Sequence, residues 1–158
     1  MNRIRTTAAV LATAGLLSAT QLGLAGSASA APVTTQATGC PISISYPSSF
    51  YVGSGGWVTG GGLYFGIRNK STTTSFKKVT FTVTDVKNIR FGTATPKGGS
   101  ITERTSQKAS VYTKTFKPKA KLGFTVRTRL LSTSHYKVKF TLKGTGWNCA
   151  TDQGTWGR

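Results

Sequence analysis

Two neighbouring stretches decide how this chain folds: Leu122-Gly123-Phe124-Thr125-Val126-Arg127-Thr128-Arg129-Leu130-Leu131 and Tyr136-Lys137-Val138-Lys139-Phe140-Thr141-Leu142-Lys143. In the second, Tyr136, Val138, Phe140 and Leu142 alternate with Lys137, Lys139, Thr141 and Lys143. In the first, Leu122, Phe124, Val126 and Leu130 share one face, and Thr125, Arg127 and Arg129 the other. A period of two belongs to a half-buried strand, because successive side chains leave a pleated backbone on opposite sides. The three polar residues Ser132 to Ser134 between the stretches suit a hairpin loop. Setting Val126 opposite Phe140, Phe124 opposite Leu142 and Leu130 opposite Tyr136 gives each apolar residue an apolar partner. That register also sets Arg129 against Lys137 and Arg127 against Lys139, two like-charge pairs on the outer face.

Working outward, Val79, Phe81 and Val83 alternate with threonines between Lys78 and Asp85. Weaker strand candidates are Ile42 to Tyr46, Leu63 to Arg68, Ile89 to Thr93, Ile101 to Arg104 and Lys108 to Phe116. Turn-forming runs such as Asn69-Lys70-Ser71, Lys97-Gly98-Gly99 and Lys117-Pro118-Lys119 separate them. No segment shows helical spacing. The expected fold is an all-β, antiparallel, immunoglobulin-like β-sandwich of seven or eight short strands, its termini tied by one disulfide.

Met1 to Ala30 has the pattern of a signal peptide. Arg3 and Arg5 precede a mostly apolar run, and Ala28-Ser29-Ala30 offers small residues for cleavage before Ala31. No later stretch is long and apolar enough for a membrane helix. The expected organisation is a signal peptide over 1–30, a flexible leader over 31–39, a β-sandwich over 40–149 and a C-terminal tail over 150–158. Export makes the two cysteines, Cys40 and Cys149, a disulfide candidate, with Trp147 packed nearby. The expected location is extracellular.

The charge balance is lopsided. The chain has 21 Lys+Arg against 3 Asp+Glu, a formal +18. Without Arg3 and Arg5 it is 19 against 3, or +16. Residues 31–67 carry no charge, and eighteen of the nineteen mature cations lie between Arg68 and Lys143. Three carboxylates argue against two-carboxylate hydrolysis, calcium loops and two-metal chemistry. One histidine and two cysteines argue against an ordinary zinc site, so neither metal nor cofactor is expected.

Ile67-Arg68-Asn69-Lys70-Ser71, followed by Phe76 and Val79-Thr80-Phe81-Thr82-Val83, resembles the strand, Asn-turn, strand pattern of secreted bacterial Ig-like domains. Adhesion modules and some carbohydrate-binding modules share that pattern, and the end-to-end cysteines look like those of certain cellulose-binding modules. The resemblance implies the fold. The tryptophan spacing of a flat cellulose platform is absent, so no binding residue is carried over.

Arg127, Arg129, Lys137, Lys139 and Lys143 form the expected contact face for an anionic polymer, with Lys117, Lys119 and Lys121 beside it. The candidate partners are a cell-wall phosphate polymer, anionic lipid headgroups, an acidic polysaccharide or extracellular nucleic acid. The plainer reading is a solvated face that protects an edge strand from aggregation, although such faces ordinarily mix signs. The glycine-rich segment Phe50 to Gly62 has two readings. Trp57 either tucks over one end of the core or stands ready to stack on a ring. Two further functional classes stay open. One is a small ribonuclease-like or toxic enzyme using Glu103 as base, Arg104 on phosphate and His135 as acid. The other is an inhibitor or protein-interaction domain presenting a loop. A Ser-His-Asp hydrolase would need Asp85 or Asp152 beside His135, and no Gly-x-Ser-x-Gly elbow is present.

Overall fold

The computed structural model describes residues 31–33, by their backbone, and 39–158. The expected export segment 1–30 and most of the leader lie outside the described residues. Among the described residues ten strands form: β1 (Ala31–Val33), β2 (Ile42–Ser45), β3 (Leu63–Asn69), β4 (Phe76–Lys87), β5 (Ile89–Lys97), β6 (Ser100–Arg104), β7 (Lys108–Phe116), β8 (Lys121–Leu130), β9 (Lys137–Thr145) and β10 (Asp152–Gly157). They make two antiparallel sheets, one in the order β1-β10-β9-β4-β7-β6 and the other β2-β3-β8-β5. The sheets pack face to face as a sandwich. Phe81 and Phe140 of the larger sheet meet Phe124 and Phe65 of the smaller at centroid separations of 6.2 and 5.9 Å.

The alternation read from sequence sets which side chains fill that interior. Val138, Phe140 and Leu142 of β9, Leu122, Phe124 and Val126 of β8, and Val79, Phe81 and Val83 of β4 are all buried. Lys137 and Lys143, and Arg127 and Arg129, are exposed between them.

The hairpin does not form, and that is the main correction to the sequence reading. β8 pairs with β3 and β5, whereas β9 pairs with β4 and β10. The chain between Leu131 and Tyr136 therefore crosses from one sheet to the other. Matching apolar residues is satisfied equally well by packing two strands across a core as by pairing them within one sheet. Arg127 and Arg129 consequently point away from Lys137 and Lys139, on opposite sides of the sandwich.

The segment expected to be a tail is the second departure. Residues 152–157 form β10 alongside β9, with Trp156 fully buried and its Nε1 donating to the Pro47 carbonyl at 3.1 Å. Phe50, Tyr136 and Phe65 ring that indole at 5.8, 5.4 and 5.4 Å. The start of the expected leader pairs as β1 with β10. Cys40 and Cys149 form the expected disulfide, with Cα atoms 4.7 Å apart. It joins the chain just before β2 to the β9–β10 connection, so it ties one sheet to the other.

Two polar clamps fix the ends. Buried Asn69 donates through Nδ2 to the carbonyls of Thr74, Phe116 and Lys117 and accepts from the Ser71 amide. It welds the turn after β3 to the turn after β7. At the other end Asn88, at φ +58°, donates to the His135 carbonyl and accepts from the Leu131 amide. Among the described residues no helix is long and apolar enough to cross a membrane.

Candidate functional site

The outward face of the four-stranded sheet is written by the odd positions of β8. Lys121, Gly123, Thr125, Arg127 and Arg129 alternate with the buried apolar set. At about 3.4 Å per residue they run roughly 27 Å along the face. Register places Arg68 beside Lys121, Tyr64 beside Thr125, Gly66 beside Gly123, Lys97 across from Gly123, and Arg90 beside Arg129. Six cations thus share one sheet face: Arg68, Arg90, Lys97, Lys121, Arg127 and Arg129.

Three of these are held in place. Arg90 is ion-paired with Asp85, a carboxylate 5% exposed beneath it. Arg129 donates through Nε to the Gly55 carbonyl at 2.8 Å. Arg127 stacks on Trp57, its Cζ 4.4 Å from the ring centroid. The glycine-rich segment makes these contacts possible. Beyond the start of β3 it runs back along β8, with the Val58 amide donating to Thr128 and Trp57 bridging Arg129. Gly56 lies so close to β8 that a Cβ would stand 2.2 Å from the Leu130 carbonyl oxygen, at a φ of +81°. Trp57 and Val58 thus bridge to β8 outside the named strands, and of the two readings of Trp57 the core cap is replaced: the indole is half-buried against Arg127.

Tyr64 lies down on the same face. A Cβ on Gly66 would fall 2.3 Å from its Oη, and one on Gly123 would fall 2.7 Å away. The two glycines, paired across β3 and β8, leave a shallow floor on which the ring rests. Burial pushes the phenol pKa up from its ordinary value.

The outward face of the six-stranded sheet is built differently. Its central rung runs Asp152, Thr141, Thr82, Ser110, Glu103 across five strands. Thr82 and Ser110 are bonded at 2.9 Å. Lysines stand on the rungs to either side, and two of them are neutralised: Lys108 by Glu103 at 2.8 Å and Lys139 by Asp152 at 2.6 Å. The Lys139 ammonium and the Gly154 amide hold the Asp152 carboxyl below its ordinary pKa. A groove of about 570 Å³ runs over the hydroxyls, with Lys143 on its wall.

The predicted contact residues are thus divided. Arg127, Arg129 and Lys121 lie on the four-stranded face. Lys117 and Lys119 lie in the β7–β8 turn beyond its Arg68 end, where the Lys119 ammonium donates to the Lys70 carbonyl. Lys137, Lys139 and Lys143 lie on the opposite face. Sequence reasoning missed Arg68, Tyr64, Gly66 and Gly123. Their signal was the alternation Tyr64, Gly66, Arg68 within β3, legible only once β3 is placed beside β8.

The three residues of the ribonuclease-like alternative are not assembled. Glu103, paired with Lys108, is at the far edge of the six-stranded sheet, level with Thr141. His135 is in the β8–β9 connection, its Nδ1 bonded to Ser134 Oγ at 2.9 Å. Three strand spacings and six residues of rise separate them by about 25 Å. Arg104 reaches the Gly92 carbonyl. Asp85 and Asp152, the carboxylates a Ser-His-Asp site would need, are occupied by Arg90 and Lys139.

No protein-family model matches the chain, and no curated protein matches it in sequence.

Proposed function

We propose that this is a secreted, non-catalytic module that binds an anionic polymer through the outward face of its four-stranded sheet. The observation carrying the reading is charge segregation. Among the described residues, Glu103 and Asp152 are on the larger sheet and spend themselves on its lysines, and Asp85 lies beneath Arg90. Arg68, Lys97, Lys121, Arg127 and Arg129 share a face that presents no carboxylate. Like charges on one sheet face cost a few tenths to one kcal/mol per opposed pair. A polyanion converts that repulsion into attraction and releases counterions. The disulfide and the N-terminal pattern support an extracellular setting. The candidate polymers are cell-wall phosphate polymer, acidic polysaccharide and extracellular nucleic acid.

The test compares two variants of equal charge. Arg68→Ser/Arg127→Ser/Arg129→Ser strips the four-stranded face. Lys114→Ser/Lys137→Ser/Lys143→Ser strips the other. On immobilised heparin and on purified cell wall, the first variant should elute at clearly lower salt than the second. Equal elution, with both variants folded, would mean that binding follows net charge and that neither face is a site.

A further inference from the structure

The two faces differ in kind of cation as well as in balance. Among the described residues, the outward strand cations of the six-stranded sheet are lysines, Lys77, Lys87, Lys108, Lys114, Lys137, Lys139 and Lys143 among them; its one strand arginine, Arg104 on the edge strand β6, pairs with buried Ala109 and reaches across to the Gly92 carbonyl of β5. On the four-stranded sheet four of six are arginines. Arginine offers a planar fork that grips phosphate through two bonds and stacks on rings, where lysine offers a point charge. The arginines also accompany the aromatic rings of that face. Trp57 carries Arg127, and Tyr64 lies flat on Gly66 and Gly123 between the Arg68 and Arg127 ends.

From these observations we infer that the polymer bound on this face is a single-stranded nucleic acid, with Tyr64 and Trp57 as ring platforms and Arg68, Arg127, Arg129, Lys121 and Lys97 on its phosphates. The inference rests on the reading of the preceding subsection and narrows it to one ligand class. A chain of phosphates alone has nothing to place on a recumbent phenol. A nucleic acid strand has a flat base at each phosphate, and stacking accepts any base. Trp57 stands beside Arg129 and Tyr64 beside Thr125. Four residues along β8 set them about 13 Å apart, which an extended strand spans in about two nucleotides. A duplex would hide its bases, and the face offers no helix or ribbon for a groove, so the strand is single and its sequence is not read.

The experiment measures fluorescence anisotropy with a labelled 15-nucleotide oligothymidylate. Inorganic polyphosphate and polygalacturonate of matched charge serve as competitors over a range of salt. The intact protein should prefer oligothymidylate to both by about tenfold, the scale of a single base–aromatic stack. Tyr64→Leu/Trp57→Leu, checked for folding by its thermal transition, should reduce that preference to about one, and Tyr64→Phe should keep it. Equal affinity for oligothymidylate and polyphosphate in the intact protein would overturn the nucleic-acid inference and leave the anionic-polymer reading standing. Tighter binding of polygalacturonate would overturn it in favour of an acidic saccharide. Failure of all three to bind in a salt-dependent way would overturn the underlying reading as well.

Discussion

The two outward faces of this sandwich come from one chain and share one core, yet they solve the problem of excess cation in opposite ways. The six-stranded face dilutes its lysines with threonine and serine and spends two carboxylates on them. The four-stranded face pairs one arginine, Arg90, with the buried Asp85, presents no carboxylate to the others, and fixes Arg129 with a carbonyl and Arg127 with an indole. Only the second arrangement holds cations still while leaving them hungry for counter-charge. Net charge alone says that a protein is attracted to polyanions. Where the charge is left uncompensated says where a polyanion would sit.

The largest expected effect comes from separating the faces. The Cys40–Cys149 bridge ties the two sheets together and closes a loop of 109 residues. Replacing both cysteines by serine should lower the unfolding free energy by about 4–5 kcal/mol, as read from denaturant midpoints. A shift under about 1 kcal/mol would mean that the core alone unites the sheets. Next in size is the floor beneath Tyr64. A Cβ at position 123 would meet the Phe65 carbonyl oxygen at 2.5 Å and the Gly66 Cα at 2.7 Å, both backbone atoms. Gly123→Ala should therefore cost about 1–3 kcal/mol and weaken oligothymidylate binding with it. An unchanged thermal transition would show that the strands part easily and that the glycine pair is no constraint.

A smaller effect sharpens the electrostatic contrast. Each lost phosphate contact lowers the slope of log K against log salt by about one. Stripping Arg68, Arg127 and Arg129 should lower it by about two to three, and stripping Lys114, Lys137 and Lys143 by less than one. The smallest effect belongs to the neutralised face. Asp152 titrates below its ordinary value because Lys139 and the Gly154 amide favour its charged form. A carboxyl whose folded pKa is lowered stabilises the fold above its unfolded pKa and loses that contribution as pH falls through the folded value. Lys139→Met should return the Asp152 carboxyl toward the ordinary carboxylate range in an NMR titration. It should leave affinity at the four-stranded face untouched. No movement of the titration would remove the pair as the cause.

The fold was legible to the extent that it is local. Alternation in β4, β8 and β9 marked the buried positions correctly, because pleat geometry alone separates the two sides of a strand. The disulfide was legible from composition and context. The pairing of β8 with β3 was not, since its partners lie more than fifty residues apart in sequence. An internally consistent hairpin register between β8 and β9 hid the crossover. β10 was missed because Asp152-Gln153-Gly154-Thr155-Trp156-Gly157 has one large apolar residue and two glycines. Its strand character comes from β9 beside it and from the pocket that takes Trp156. The candidate site was half legible for the same reason. Arg127 and Arg129 announce themselves, whereas Tyr64, Gly66 and Arg68 acquire meaning only from the neighbour that tertiary structure supplies.

The claim that binding belongs to one face is tested most directly by following backbone amide shifts of the intact protein as oligothymidylate is added. Perturbations should cluster at Trp57, Tyr64, Arg68, Gly123, Arg127 and Arg129. A cluster at Thr80 to Thr84 and Lys137 to Lys143 instead, or shifts spread evenly over both sheets, would contradict it.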